Sequence, residues 1–339
     1  MEHQSTDPRV FTTRWYHRFE ILPGVVTPGI VTFDAGAVLD SLGIPKDLSG
    51  KNAIDIGAWD GPMAFELERR GARVVALNVL DPNETAFNLA KELLGSQVEH
   101  VQGSVYDLTR LFKEPFDLVC FLGVYYHLTD PIQAFEQIAR VLASEGQVCF
   151  EGECLRRYAE TLSGDGVQDD LVRQIAISEI PLALCCPGEY KKSPNWFIPN
   201  FSCLSGWLKV AGMEIARHYF EESSDGEPPH QRIKGLATKR RPSVVITAVR
   251  QASRTLILSG GGFSARTVIN FFCNQNGRLM NIGGLTPDGG VRLPIKADGP
   301  NQLRFDLPGT VEAGEVTIEA CNPPYAGNER AIYRFEVLR

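Results

Sequence analysis

The sequence predicts a doubly wound α/β domain followed by an all-β domain. Up to about residue 250, short apolar runs alternate with helical patterns. Beyond it, β-branched and apolar runs are separated by Gly-Gly, Asn-Gly, Pro-Asp-Gly and Asp-Gly-Pro turns. The 339 residues, 43% hydrophobic and 22% charged with a mean hydropathy of -0.11, suffice for two cores.

In order, Asn52–Ile56 reads as a strand, Pro62–Arg70 as a helix, Arg73–Leu77 as a strand, and Pro82–Leu94 as a helix opening after Asp81. Strands follow at Val98–Gln102, Phe116–Leu122 and Gly146–Glu151. A helix spans Pro131–Leu142, with Ile132, Phe135, Ile138, Ala139 and Leu142 on one face. Alternating strands and helices imply right-handed crossovers and a parallel sheet covered on both sides. The later strands are expected at Thr255–Leu258, Thr267–Phe272, Leu279–Ile282, Val291–Ile295, Gln302–Leu307, Glu315–Ala320 and Ala331–Val337, the spacing of a β-sandwich. The expected division is an N-terminal cap segment over 1–45, the α/β domain over 46–248 and the sandwich over 253–339.

Composition narrows the classes. No apolar run approaches the ~20 residues needed to span a bilayer, and the N-terminus lacks a basic-then-apolar leader, so a cytoplasmic location with no membrane partner is expected. The eight cysteines have no C-x-x-C spacing, which favours buried thiols over a zinc or disulfide framework, and no metal is expected. A net charge of -7 argues against a surface built throughout to attract phosphate. The acid-free stretch Lys234–Arg254 leaves only a local basic patch. The all-β half contains no His and no evident catalytic constellation, and reads as a packing or interaction module through which oligomers can form.

The most informative segment is Ala53-Ile54-Asp55-Ile56-Gly57-Ala58-Trp59-Asp60-Gly61, an apolar strand running through a two-glycine loop into a helix. Gly57 and Gly61 allow a ligand close to the main chain, and the helix offers its first amides, at the sheet edge where open α/β folds bind ligands. The spacing is not the G-x-G-x-x-G of dinucleotide folds. It resembles motif I of class I S-adenosylmethionine (SAM) methyltransferases, which implies a Rossmann-like sheet and SAM as cofactor. The resemblance implies that the loop, with Gly57, Ala58, Trp59 and Gly61, passes beside the cofactor's amino-acid and ribose parts, and that Asp55 belongs to the cofactor site by supporting that loop. It also implies an acid at the end of the second strand to hold the ribose hydroxyls. Here that residue is Asn78, with Asp81 three positions on. Ser104 and Val105 would cap the adenine, and Leu122 would border the mouth.

Four ordered segments resemble one branch of that class, the tRNA wobble-uridine (mo5U/cmo5U) methyltransferase-like family. They are Trp15-Tyr16-His17 with Gly24-Val25-Val26-Thr27-Pro28-Gly29, the Asp55–Gly61 loop, Leu122-Gly123-Val124-Tyr125-Tyr126-His127-Leu128, and Asn195-Trp196-Phe197-Ile198-Pro199-Asn200. Leu128 and Thr129 stand where the resemblance implies arginines in the carboxymethylating enzymes. With the net charge, they weigh against tRNA and carboxy-SAM.

Methyl transfer from a sulfonium requires alignment of an acceptor and, for a hydroxyl, removal of its proton. His127, just past a strand end at the expected mouth, is the candidate base. Trp15, Tyr16, His17, Tyr126, Glu151, Tyr190, Asn195, Trp196 and Asn200 are candidates for holding the substrate. The leading expectation is SAM-dependent methylation of a small polar or glycosylated metabolite. The alternatives are a tRNA wobble-uridine methyltransferase and a non-catalytic binding protein with a vestigial cofactor fold and an immunoglobulin-like sandwich.

Overall fold

The computed structural model describes residues 7–186, 188–223, 230–240, 244–263, 267–275, 278–284, 296–297, 301–307, 314–321 and 330–338. Contacts divide the chain into units 1–239 and 240–339.

The first unit is built on a seven-stranded sheet. Its strands are β1 (Asn52–Ile56), β2 (Arg73–Asn78), β3 (Glu99–Gln102), β4 (Phe116–Leu122), β5 (Leu142–Glu153), β6 (Met213–Ser223) and β7 (His230–Lys239). Across the sheet the order is 6-7-5-4-1-2-3. Strands β1 to β5 pair in parallel, as the alternation of strands and helices predicts. The last two form an antiparallel hairpin whose β7 pairs with β5, so the sheet is mixed rather than wholly parallel. Chain order reverses between β1 and β4, the switch point at which such sheets open a crevice.

Period-two alternation feeds two cores. Ile54, Ile56, Val75 and Leu77 enter one; Ala53, Val74 and Ala76 enter the other. Four helices cover the sheet: α1 (Ala35–Ser41), α2 (Pro62–Arg69), α3 (Phe87–Leu94) and α4 (Pro131–Val141). A fifth, α5 (Phe201–Val210), packs by β6. Pro62 and Pro131 open α2 and α4, where a missing amide costs nothing, and the Asp130 carboxylate caps α4 at the Gln133 amide. Helix α3 starts five residues later than expected because Asp81 accepts from the Asn83 amide and side chain, making a turn of that stretch. The N-terminal segment is no separate cap: Val10, Trp15, Ile21, Leu39 and Leu42 lie in the same core as α2.

The second unit has two four-stranded antiparallel sheets that bury Leu256, Leu258, Phe271, Leu303, Phe305 and Ile318 in one core. Strand Val245–Ala252 belongs to it, so the division falls earlier than the turn signals suggested. The expected strand Val291–Ile295 lies outside the described residues. Among the described residues no helix is long and apolar enough to cross a membrane, and the cysteines are free thiols.

Asp55 sits in β1 almost wholly buried, and burial pushes its carboxyl up to about 7, opposed only by the Ala64 amide. A folded-state value above that of an unfolded aspartate means that its contribution to stability is intact below about pH 4 and lost as pH rises through about 7. Asp55→Asn cannot ionise. The difference in melting temperature between the variant and the parent should move in the variant's favour as pH rises from about 4 to about 7; parallel curves in a thermal-melt series would remove Asp55 as the cause.

Candidate active site

The loop after β1 turns sharply. Gly57, Trp59 and Gly61 all have left-handed backbones, with φ of 82°, 52° and 90°. Glycine adopts this freely, whereas Trp59 does so at a cost of about 1–2 kcal/mol. Gly61 also permits close packing, since a Cβ there would stand 2.5 Å from the Phe65 ring. A Cβ on Gly57 would stand 2.6 Å from Val124, so the turn after β4 rests directly on the loop after β1.

The loop is tied down through Asp60. Its carboxylate, fully buried, accepts from the amides of Tyr16 (2.9 Å) and His17 (2.8 Å) and from the His17 ring at Nδ1. Beside it, the Tyr16 and Trp59 rings lie 5.3 Å apart, each about two-fifths exposed.

At the end of β2, Asn78 is buried with its Nδ2 unpartnered, while its Oδ1 faces the Leu80 amide. A buried amide donor without an acceptor is costly, so this atom is suited to a ligand hydroxyl. The Asp81 carboxylate is spent on its own turn. After β3, the Ser104 hydroxyl caps a short helical turn at the Tyr106 amide, and Val105 is buried beneath it.

The turn after β4 carries Tyr125, Tyr126 and His127. His127 Nδ1 lies 2.7 Å from the Pro194 carbonyl, which can only accept, so Nδ1 holds the proton and Nε2 keeps its lone pair. Burial, with the Arg232 charge adding to it, holds the imidazole below its ordinary range and hence neutral. Tyr126 accepts at its hydroxyl from Arg232 Nη2 (2.9 Å), and burial pushes the phenol up to about 12.

Arg232, from β7, also engages Glu151 through Nε and through Nη2 (2.9 Å). Lys191 pairs with Glu153, whose carboxyl is raised by burial. Two acids and two bases thus neutralise one another beside Tyr126. The segment from Gly188 to Trp196 folds over this turn, with the Trp196 amide donating to the Tyr126 carbonyl (2.7 Å). Asn195 is buried and donates to the Tyr190 carbonyl, leaving Oδ1 unpartnered. Trp196 is partly exposed.

Several of the expected site residues are engaged within the protein. Trp15 is buried and donates to the Val10 carbonyl. Tyr190 is buried and donates to the Tyr158 carbonyl. Asn200 has no exposure: it caps α5 at the Cys203 amide and holds the Ile175 and Ile180 carbonyls. Asp55 is buried in β1 just before its loop, Ala58 is buried, and Glu151 pairs with Arg232. Leu122 is half-buried at the end of β4, where the mouth was expected. The Arg232 side chain and the Asp60 latch were not foreseen. Among the described residues no metal-ligating cluster occurs. An open groove of about 640 Å³ lies elsewhere, between the N-terminal segment and α2, lined by Arg18, Phe33, Asp34, Phe65 and Glu66.

With this geometry in hand, the sequence matches a family model described as a methyltransferase domain over residues 54–150. The chain carries a class I SAM-dependent methyltransferase domain, with SAM as the cofactor of that class. Within the class, it resembles the tRNA wobble-uridine type. It is 30% identical to the tRNA U34 carboxymethyltransferase of Wolinella succinogenes, over 50% of this chain and 53% of that protein. It is 29% identical to the one from Colwellia psychrerythraea, over 51% and 47%. The chain therefore spans about half the length of the curated relatives it matches. A putative SAM-dependent methyltransferase structure from Listeria monocytogenes is similar over 61% of this chain and all of that one, at 16% identity and a TM-score of 0.43.

Asp60→Asn leaves a single carbonyl oxygen where two carboxylate oxygens accept the two amides and the imidazole. The expected loss is about 1–3 kcal/mol of stability, with amide exchange at Tyr16 and His17 accelerated ahead of β1. Exchange at those amides equal to the parent's would show that the segment is held by something else.

Proposed function

We propose that the protein transfers a methyl group from SAM to a hydroxyl on a tRNA wobble uridine, with His127 as base. The observation that carries the chemistry is a neutral imidazole whose Nδ1 proton is fixed on the Pro194 carbonyl, so that Nε2 can take a proton. The curated relatives, named as tRNA U34 carboxymethyltransferases, support the acceptor over a small metabolite. The net charge of -7, weighed against tRNA above, is a whole-chain sum and says little about one face.

The cofactor fits the residues present. Gly57 and Trp59 would run beside its amino-acid part, Gly61 opens the helix whose amides follow, and Asn78 Nδ2 would donate to a ribose hydroxyl. Ser104, Val105 and Leu122 would border the adenine and the mouth. When bound, SAM supplies an electrophilic methyl on sulfur. His127 accepts the acceptor proton, Tyr126 orients the acceptor oxygen, and the partly exposed Trp196 ring forms a wall. Arg232 is already matched by Glu151, which favours plain methyl transfer over a transferred group bearing a carboxylate. The second unit's role is that of an interaction module.

Four measurements test this. Calorimetry should find micromolar binding of SAM and S-adenosylhomocysteine. Labelled methyl should enter tRNA in nuclease-sensitive form; label confined to small molecules would overturn the acceptor. His127→Gln should still bind S-adenosylhomocysteine yet lower kcat by about 10²–10⁴-fold. Because the imidazole titrates below its ordinary range, the parent's rate should rise with slope one only below about pH 6.5 and be level at neutrality. A rate still climbing through pH 8 would assign the base elsewhere.

A further inference from the structure

The extended N-terminal segment alternates strictly. Trp15, His17, Phe19 and Ile21 face inward, while Arg14, Tyr16, Arg18 and Glu20 are exposed. The exposed row therefore reads basic, aromatic, basic, then acidic. Among the described residues, no carboxylate engages the guanidinium of Arg14 or Arg18. From Arg14 to Arg18 the row covers about 13 Å at the rise of an extended chain.

Against Tyr16 stands Trp59, the non-glycine residue that the loop after β1 holds at φ 52°. Glycine would relieve that backbone, so the strain is borne here by a residue that brings an indole ring to this place. The platform is rigid: Asp60 fixes the Tyr16 and His17 amides, and Thr27 Oγ1 donates to the His17 carbonyl at 2.7 Å. Gly29 backs it so closely that a Cβ there would stand 2.1 Å from the same carbonyl.

We infer that Tyr16 and Trp59 form a stacking platform for an unpaired base of single-stranded RNA, whose flanking phosphates Arg14 and Arg18 neutralise. Aromatic faces accept bases without regard to sequence, and arginines at either side track the backbone, which is the chemistry of single-strand binding. The row ends at Glu20, so the contact is short. This platform rests on the tRNA reading above, and its positive charge is confined to the Arg14–Arg18 row, since Arg18 also borders a groove lined by Asp34 and Glu66.

The test measures anisotropy of a labelled single-stranded oligouridylate, with uridine monophosphate as the small-ligand arm. Tyr16→Leu and Trp59→Gly should each weaken oligouridylate binding by about tenfold or more, and Tyr16→Phe should stay within about twofold. Trp59→Gly should not lower Tm, because glycine takes the left-handed backbone freely, so its effect cannot be misfolding. Arg14→Gln with Arg18→Gln should reduce the slope of log affinity against log salt by about 1.4. If the parent binds oligouridylate and both ring variants bind it equally well, the platform is wrong while the tRNA reading stands. If the parent binds neither oligouridylate nor unfractionated tRNA, the tRNA reading falls and takes the platform with it. Ring variants that weaken uridine monophosphate as strongly, with no change in salt slope, would assign the rings to a small planar ligand and overturn the RNA proposal.

Discussion

One buried carboxylate organises the loop after β1 and the segment that crosses it. Asp60 has no exposed side-chain surface, and an ionised carboxylate so placed is tolerable only if donors surround it. The donors come from a segment more than forty residues earlier in the chain: two successive amides and an imidazole. Satisfying them forces the N-terminal segment to lie extended across the loop after β1. Once it is extended, alternation decides the rest. Trp15 and Phe19 go into the core, and Tyr16 is left outside against Trp59. The close passage of Gly29 behind His17 follows from the same constraint, since a side chain there would overlap the backbone that Asp60 holds.

The opposite side of the crevice depends on the hairpin of β6 and β7. Because β7 runs antiparallel beside β5, Arg232 is set across from Glu153 and within reach of Glu151 and the Tyr126 hydroxyl. A parallel strand at that position would arrive by a crossover over one face of the sheet. The reversed strand instead brings its charge directly from the sheet edge, where the turn after β4 ends. The Arg232 cation then helps to keep the neighbouring imidazole neutral.

The strands β1 to β4 and the helix over Pro131–Val141 were legible because apolar periodicity and proline at a first helical position speak locally. The glycine loop was legible for the same reason. The hairpin was not: Met213–Ser223 carries Arg217, His218, Glu221 and Glu222 on an edge strand, a pattern with little apolar alternation to read. Asn200 and Tyr190, expected to hold a substrate, also hold backbone within the protein. A polar or aromatic residue in a proline-rich loop can serve a ligand or the loop itself, and only long-range partners distinguish the two. Asn200 caps the next helix at Cys203, which local sequence can show, but also holds the Ile175 and Ile180 carbonyls, which it cannot. Asp60 was overlooked for the complementary reason: the motif draws the eye to its glycines, while the donors that give the acid its purpose lie at residues 16 and 17.

Charge is distributed here by pairing rather than by sum. Glu151 with Arg232 and Glu153 with Lys191 make an inner quartet of no net charge, half-buried or deeper. Such pairs lose much of their Coulombic gain to desolvation, so their value lies in orientation more than in stability. They fix the Tyr126 hydroxyl from one side without presenting an unmatched cation to the crevice. Arg14 and Arg18 are the opposite case, exposed and unmatched, and able to act on a partner at a distance set by salt. A chain of net charge -7 can therefore hold a neutral cluster around Tyr126 and still expose arginines elsewhere, because surface potential at contact range is decided by the nearest few groups.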